Sequence, residues 1–302
     1  MTGEHAKSWN DFWAQSKSSG QGCLPAAGYE QIDAAQKARW VDLAKQLPRN
    51  ARVLDLATGN GLVMRWMLGE RRDLKLTGVD LAPVLPPSPK GTKTRAGVPM
   101  EELPFPDDRF HAVVSQFGFE YGDTAKVAEE AARVLGKGGT LAILTHRQDG
   151  PILAHNLKRR EQIRWAIDEK NLPDIARKSL QLRGRGIFTI PTAIQQAPEE
   201  GARLHGPQSA AWEIAEALRQ TLAMSRHDHP ANVARLIDTM VFHARNELGR
   251  IASLEAACAT TADEERFTAA IEAAGFEPTG IEPVLEKGRA TRFADFRTYR
   301  LS

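Results

Sequence analysis

The residues best suited to chemistry lie in one short run, Val53-Leu54-Asp55-Leu56-Ala57-Thr58-Gly59-Asn60-Gly61-Leu62-Val63, where an apolar strand passes through a glycine-containing turn into a helix. Gly59 and Gly61 let the backbone approach a ligand closely, and the start of the following helix offers free N–H groups suited to a carboxylate or phosphate. Val79-Asp80 ends the next strand, with Asp80 21 residues after Gly59. An acid at that distance can hydrogen-bond ribose hydroxyls. Asp55, at the end of the first strand, can pair with a ligand ammonium directly or through water. Together these residues describe a nucleoside-containing ligand lying across the carboxyl ends of strands.

Other readings of a glycine turn fit less well. The dinucleotide fingerprint wants a glycine three places after its second one, and Met64 stands there. Asp55 also brings negative charge toward a pyrophosphate. No Gly-Lys-Ser/Thr follows the turn, which excludes a P-loop. No Gly-x-Ser-x-Gly elbow is present, which argues against an α/β-hydrolase.

The elements that position this turn follow from periodicity. Residues 28–47 place Ile32, Ala35, Trp40, Leu43 and Leu47 on one helical face, with Gln36 the only polar intruder and Pro48 the stop. Arg52–Leu56 reads as a strand, Leu62–Leu68 as a helix ended by Gly69, and Leu74–Val79 as a second strand. Phe110–Ser115 and Thr140–Thr145 fit further strands, separated by a helix at Thr124–Leu135 that closes on Gly136 and Gly138-Gly139. Such alternation predicts a parallel sheet covered on both faces. From His146 to about Thr260 the pattern turns to helices and loops. Ile152–Ile167 and Ala211–Ala223 are amphipathic, and a long helix runs from Val233 through Leu236, Ile237, Met240, Val241, Ala244, Leu248, Ile251 and Leu254, with Pro230 suited to its first turn. Thr261 and Glu264 suggest a capping box for a helix ending at Gly275, and Phe276–Leu285 and Thr291–Leu301 fit two last strands.

Taken together, these runs resemble the class I S-adenosylmethionine-dependent methyltransferases of the broad small-molecule type. Asp55-Leu56-Ala57-Thr58-Gly59-Asn60-Gly61 is similar to the family's first motif, with Ala57 where a further glycine is common. Gly78-Val79-Asp80 is similar to the second, whose acid holds the ribose. Glu101 to Asp107 followed by Phe110 to Val114 resembles the segment that passes the adenine, although Pro99 stands where many relatives carry an acid. Arg133 to Gly139 resembles the usual turn before the fifth strand. The resemblance covers 50–146 continuously and extends to 261–302. It implies a Rossmann-like three-layer α/β fold with a mostly parallel seven-stranded sheet, N-terminal helices and a helical insertion. It also implies S-adenosyl-L-methionine as cofactor, with S-adenosyl-L-homocysteine as product. The implied cofactor-binding residues are Asp55, Ala57, Thr58, Gly59, Asn60, Gly61, Asp80, Leu81, Met100, Glu101, Gln116 and Phe117.

The family places acceptor-facing residues after the fourth strand, here Ser115-Gln116-Phe117-Gly118-Phe119-Glu120-Tyr121. A sulfonium methyl is already activated, so transfer rests on alignment and exclusion of water, with a base needed when the acceptor is a hydroxyl or protonated amine. Glu120, Tyr121 and His146 are the candidate catalytic residues, His146 because it ends the fifth strand. Each has a plain structural alternative, a helix cap for Glu120 and a satisfied strand-end histidine for His146. His227-Asp228-His229 carries metal-ligand types, but Pro230 and a helix follow, so a capping loop accounts for it and no metal is expected. Trp9, Phe12 and Trp13 sit at helical spacing, either over the cofactor or in the core. Lys158-Arg159-Arg160 and Arg183-Gly184-Arg185 are solvated faces or grips for an anionic acceptor.

Composition narrows the partners. The 302 residues are 42% hydrophobic and 26% charged with a net charge of +2, enough for a real core and too balanced to draw strongly on nucleic acid or an anionic membrane. Two distant cysteines exclude a disulfide scaffold, and a cytoplasmic setting is the default. Neither a signal peptide nor a long apolar span is read from the sequence. The expected organisation is an N-terminal helical cap (1–48), a cofactor-binding core (49–146), a helical lid insertion (147–260) and a C-terminal completion of the core (261–302). An insertion of that size favours a small organic acceptor, methylated on O, N or C, over nucleic acid. A non-catalytic or regulatory S-adenosylmethionine-binding protein of the same fold is the competing expectation. Oligomeric state is left open.

Overall fold

The computed structural model describes residues 29–286 and 290–302 together with Trp9 and Phe12. Trp13 and the remainder of the expected N-terminal cap before residue 29 lie outside the described residues. In chain order the elements are α1 (Tyr29–Gln46), β1 (Arg52–Leu56), α2 (Leu62–Glu70), β2 (Lys75–Asp80), β3 (Lys93–Ala96), β4 (Phe110–Gln116), α3 (Thr124–Val134), β5 (Leu135–His146), α4 (Pro151–Arg164), α5 (Leu172–Gln181), α6 (Thr192–His205), α7 (Ala210–Met224), α8 (Pro230–Ala262), α9 (Glu264–Ala273), β6 (Phe276–Leu285) and β7 (Arg292–Leu301). Two compact units result, Met1–Ala154 with Ala252–Ser302, and His155–Ile251.

The first unit carries a seven-stranded sheet in the order β3-β2-β1-β4-β5-β7-β6. Every pairing is parallel except those of β7, which runs against both β5 and β6. This is the mostly parallel sheet expected from the alternation of strands and helices. Val53 to Leu56 and Ala112 to Ser115 are buried, as continuous runs must be when helices cover both faces. Chain order reverses beside β1, so the carboxyl ends of β1 and β4 open at the switch point where such sheets take their ligands.

Local departures from expectation have local causes. β3 has no counterpart in the sequence pattern, because Lys93-Thr94-Arg95-Ala96 is a short, mostly exposed edge strand with no apolar alternation. β5 begins at Leu135, not Thr140: Leu135 pairs with Phe110, the register slips, and pairing resumes at Ala112 with Thr140. The glycines expected to form a turn therefore make an irregularity within a strand, with Gly138 at φ +71°. The expected Thr261–Glu264 capping box is replaced. Asp263 caps α9 by accepting from Arg266 N at 3.2 Å, while Thr261 sits in the last turn of α8 and donates to His146 O at 2.8 Å.

β7 brings charge into the sheet. Arg297 is 1% exposed, donates from Nε to Thr145 Oγ1 at 3.2 Å, and pairs through both terminal nitrogens with Glu264. Asp295, also buried, accepts from Arg147 at 2.8 Å and from Arg292 Nε at 2.6 Å. Burying these charges is tolerable because each is paired and hydrogen-bonded.

The second unit has its own core, in which Trp165, Leu172, Ile194, Leu218, Ile237 and Ile251 are buried. A π-helical turn at Trp165–Glu169 prolongs α4, and Pro198 lies inside α6, where a proline ordinarily breaks a helix. One arginine of each basic cluster is tied down inside this unit: Arg159 pairs with Glu247 and, at 3.1 Å, with Glu213. Arg183 caps the end of α7 by donating to Ser225 O at 2.6 Å and Leu222 O at 3.1 Å. His229 Nδ1 accepts from Ala231 N at 3.3 Å, the capping role read for the His-Asp-His run. Among the described residues no helix is long and apolar enough to cross a membrane, and no group of three or more His, Cys, Asp or Glu could hold a metal ion.

Candidate functional site

β1 ends on a backbone that turns sharply. Ala57, Gly59 and Gly61 all take positive φ, at +51°, +52° and +72°. Thr58 N donates back to Val79 O at 2.9 Å, and Gly61 N to Thr58 O at 2.8 Å, so the turn is stitched to the end of β2. Asp80, the last residue of β2, accepts from Gly59 N at Oδ2 and from Ala82 N at Oδ1, each at 2.9 Å. Asp55 Oδ2 accepts from Thr58 Oγ1 at 2.6 Å, whereas its Oδ1 is buried without a partner.

Two buried carboxylates stand on adjacent strand ends, and each is costly to ionise. Burial lifts the Asp55 carboxyl to about 7, the Thr58 hydroxyl pulling the other way and the Asp80 charge adding to the rise. Asp80 is lifted by burial too, opposed by the N–H groups of Ala82 and Gly59. Close approach around the turn requires glycine elsewhere as well. A Cβ on Gly78 would lie 2.5 Å from Thr58 Oγ1, and one on Gly118 would lie 2.5 Å from Ala57 Cβ and 2.9 Å from Ser115 Oγ.

The chain leaving β4 forms the second half of the site. Phe117 takes φ +53° and donates from its backbone to Leu144 O at 2.8 Å. Its ring stacks on the His146 imidazole, with centroids 4.1 Å apart at 29°. A 3₁₀ turn, Phe119–Tyr121, then drops Phe119 into the core and presents Glu120 to the end of β5. Glu120 Oε1 accepts from His146 N at 2.9 Å and lies 2.8 Å from His146 Nδ1, with Glu120 1% and His146 5% exposed. Glu120 Oε2 is buried and has no partner. Tyr121 meets the His146 ring edge-on at 5.9 Å, and Trp9 meets Tyr121 at 5.9 Å and Phe12 at 5.7 Å. Trp9 also donates to Ser253 Oγ at 3.4 Å.

Asp55, Thr58, Gly59 and Asp80 are thus joined by hydrogen bonds, and Ala57 reaches the Phe117–His146–Glu120 group through Gly118. Other candidate residues stand apart from this cluster's bonds. Gln116 spends both ends of its amide on α1, accepting from Trp40 Nε1 at 2.6 Å and donating to Gln36 Oε1 at 3.2 Å. That contact explains the polar intruder on the apolar face of α1. Met100 packs in the core, and Glu101 accepts from Asp123 N at 3.1 Å. Leu81 is 38% exposed, and Asn60 contributes a backbone carbonyl that accepts from Arg65 at 3.4 Å. Ser115 has no role of its own in the sequence reading, yet its buried hydroxyl donates to Leu56 O at 3.1 Å and so ties β4 to β1 beside the turn. The signal for it is a small polar residue in an otherwise apolar strand.

Residues 54–143, less than a third of the chain, match the family described as methyltransferase domain. Among named relatives, the demethylmenaquinone methyltransferase of Thermus thermophilus is 37% identical over 122 residues, which is 37% of this chain and 54% of that protein. The ubiquinone/menaquinone biosynthesis C-methyltransferase of Proteus mirabilis is 33% identical over 117 residues, 35% of this chain and 47% of that protein. The chain spans about half the length of these curated relatives. A solved S-adenosylmethionine-dependent methyltransferase from Mesorhizobium loti is a distant likeness, matching 87% of this chain and 97% of its own at 14% identity and a TM-score of 0.42.

Proposed function

We propose that the protein transfers a methyl group from S-adenosyl-L-methionine to a ring carbon of a small quinone-type acceptor. The observation that carries this reading is the pair of buried carboxylates flanking the left-handed turn, one of them with an oxygen left without a partner. An anionic dinucleotide would worsen that concentration of negative charge, whereas a ligand bearing an ammonium and a sulfonium relieves it. In this assignment Asp55 faces the ligand's cationic end, and the backbone of Ala57, Thr58, Gly59, Asn60 and Gly61 closes around it. Asp80 holds the ribose with the lone pairs that Gly59 and Ala82 leave free, while Leu81, Met100 and Glu101 flank the base. Gln116 and Phe117 form the wall toward the acceptor. The bound group supplies a methyl already activated for displacement. The protein's part is to align the partners and keep water out.

The quinone class comes from the names of the two relatives, whose similarity covers 37% and 35% of this chain. Calorimetric titration with S-adenosylmethionine, S-adenosylhomocysteine and NAD tests the cofactor. The first two should bind, and Asp80→Ala should weaken both by about tenfold or more. Binding of NAD alone would overturn the assignment. Binding of both adenosyl ligands with no methyl transfer to any reduced quinone would instead favour the non-catalytic reading.

A further inference from the structure

We infer that His146 is the proton acceptor for the methylated substrate and Glu120 its positioning residue, which makes that substrate a hydroxyarene whose reacting ring carbon adjoins an ionisable hydroxyl. The inference rests on the methyl-transfer reading and deepens it.

Three observations carry it. First, Glu120 holds His146 by two bonds to one oxygen, the backbone N–H at 2.9 Å and Nδ1 at 2.8 Å. An ionised carboxylate oxygen only accepts, so Nδ1 carries the proton, and in the neutral imidazole Nε2 then holds the lone pair. No described residue bonds Nε2. Second, the ring is fixed on its face and edge: Phe117 stacks at 4.1 Å and Tyr121 packs edge-on at 5.9 Å. Phe117 itself is clamped to Leu144 O, and Gly118 next to it touches Ala57 of the turn. The imidazole at the end of β5 is therefore linked through Phe117 and Gly118 to the turn that follows β1. Third, Glu120 is buried with Oε2 unpartnered. Every hydrogen bond of its carboxylate therefore goes to His146, as a positioning group requires.

The chemistry balances. Nε2 takes the hydroxyl proton while the adjoining ring carbon gains the methyl from the sulfonium, whose bonding pair stays on sulfur. The ring carbon then sheds its hydrogen as a proton to regain aromaticity, and Nε2 returns its own proton to the oxygen. One proton is released per methyl transferred. The other ionisable groups near His146 are already engaged. Arg147, Asp149, Glu264 and Asp295 line a cavity of about 450 Å³ with it, Arg147 pairing with Asp149 and Asp295, and Glu264 with Arg297.

The tautomer can be read without cofactor or acceptor. Long-range proton–nitrogen spectra of histidine-labelled protein should show His146 as the Nδ1–H form, and in Glu120→Gln, whose amide can donate, the Nε2–H form should appear. An Nε2–H tautomer in the unaltered protein would overturn the inference. For turnover, the probe is a naphthohydroquinone with a short prenyl chain and one free ring carbon. His146→Ala should lose roughly 10²- to 10⁴-fold in kcat near neutrality. It should then recover about tenfold per pH unit as the hydroquinone ionises unaided, while S-adenosylmethionine binding is unchanged. Added imidazole should restore part of the rate. A deficit that is flat with pH and deaf to imidazole would make His146 merely structural. Failure of the unaltered protein to bind S-adenosylmethionine would count against the methyl-transfer reading instead, and calorimetry on the same samples separates the two.

Discussion

Replacing Asp55 by asparagine isolates the electrostatics of the turn. Asp55 moves from 3.8 to about 7 because burial penalises its charge and Asp80 stands close. A raised carboxyl means that the folded chain holds a proton which the unfolded chain has already released. Its stabilising contribution is complete below the unfolded value and is lost as the pH rises through the folded one. A tenfold difference in proton affinity between the folded and unfolded chain is worth ~1.4 kcal/mol, so a rise of about a thousandfold sets an upper limit of ~4 kcal/mol. Between about pH 5 and pH 8 roughly two-thirds of this is lost, or ~3 kcal/mol. Asparagine keeps an oxygen for the Thr58 hydroxyl and has nothing to titrate. The variant should therefore gain on the parent as pH rises, its melting temperature pulling ahead by roughly 6 °C over that range. Thermal unfolding of both proteins across a pH series, without ligand, reads this directly, and subtracting one curve from the other removes the groups common to both. A difference that stays constant with pH would refute the account of Asp55 as a strained, half-protonated carboxyl. Binding of a cationic ligand should also expel this proton near neutrality, visible as a dependence of the calorimetric heat on the buffer's ionisation enthalpy.

Ala57 occupies left-handed backbone at φ +51°, so Ala57→Gly should raise stability by ~1 kcal/mol, measured by denaturant unfolding; a loss would deny the strain. Gly78→Ala drives a Cβ to 2.5 Å from Thr58 Oγ1, which should cost ~1–3 kcal/mol and weaken S-adenosylmethionine binding by displacing the turn. Unaltered affinity would place the turn away from the ligand. Arg297→Met removes the buried partner of Glu264 and a donor to Thr145. Since Glu264 is half exposed, the expected loss is ~2 kcal/mol, read by thermal unfolding, and a neutral result would show that Arg147 and Arg292 suffice for Asp295.

The turn, the acid that ends β2 and the order of β1, α2, β2, β4, α3 and β5 are legible in the residues because each rests on local rules: apolar runs, glycine at positive φ, and punctuation between elements. β3 is not legible, since a short polar edge strand is defined by its neighbour rather than by its own pattern. The long glycine-bearing start of β5 misleads for a related reason, because pairing with Phe110 overrides the turn preference of Gly136 and Gly138. Thr261 meets the capping pattern, but the carbonyl of His146 claims its hydroxyl.

Sequence alone was thus sufficient for the fold class and for the glycine turn at the end of β1, both of which follow from near-neighbour chemistry. Tertiary structure decided the rest. Gln116 is held by α1, because Gln36 and Trp40 meet it across 80 and 76 positions of chain. Glu120 and His146 are separated by 26 residues, and only the parallel pairing of β4 with β5 brings the carboxylate onto the imidazole. Contacts of that kind depend on sheet register and burial, and spacing along the chain carries no record of either.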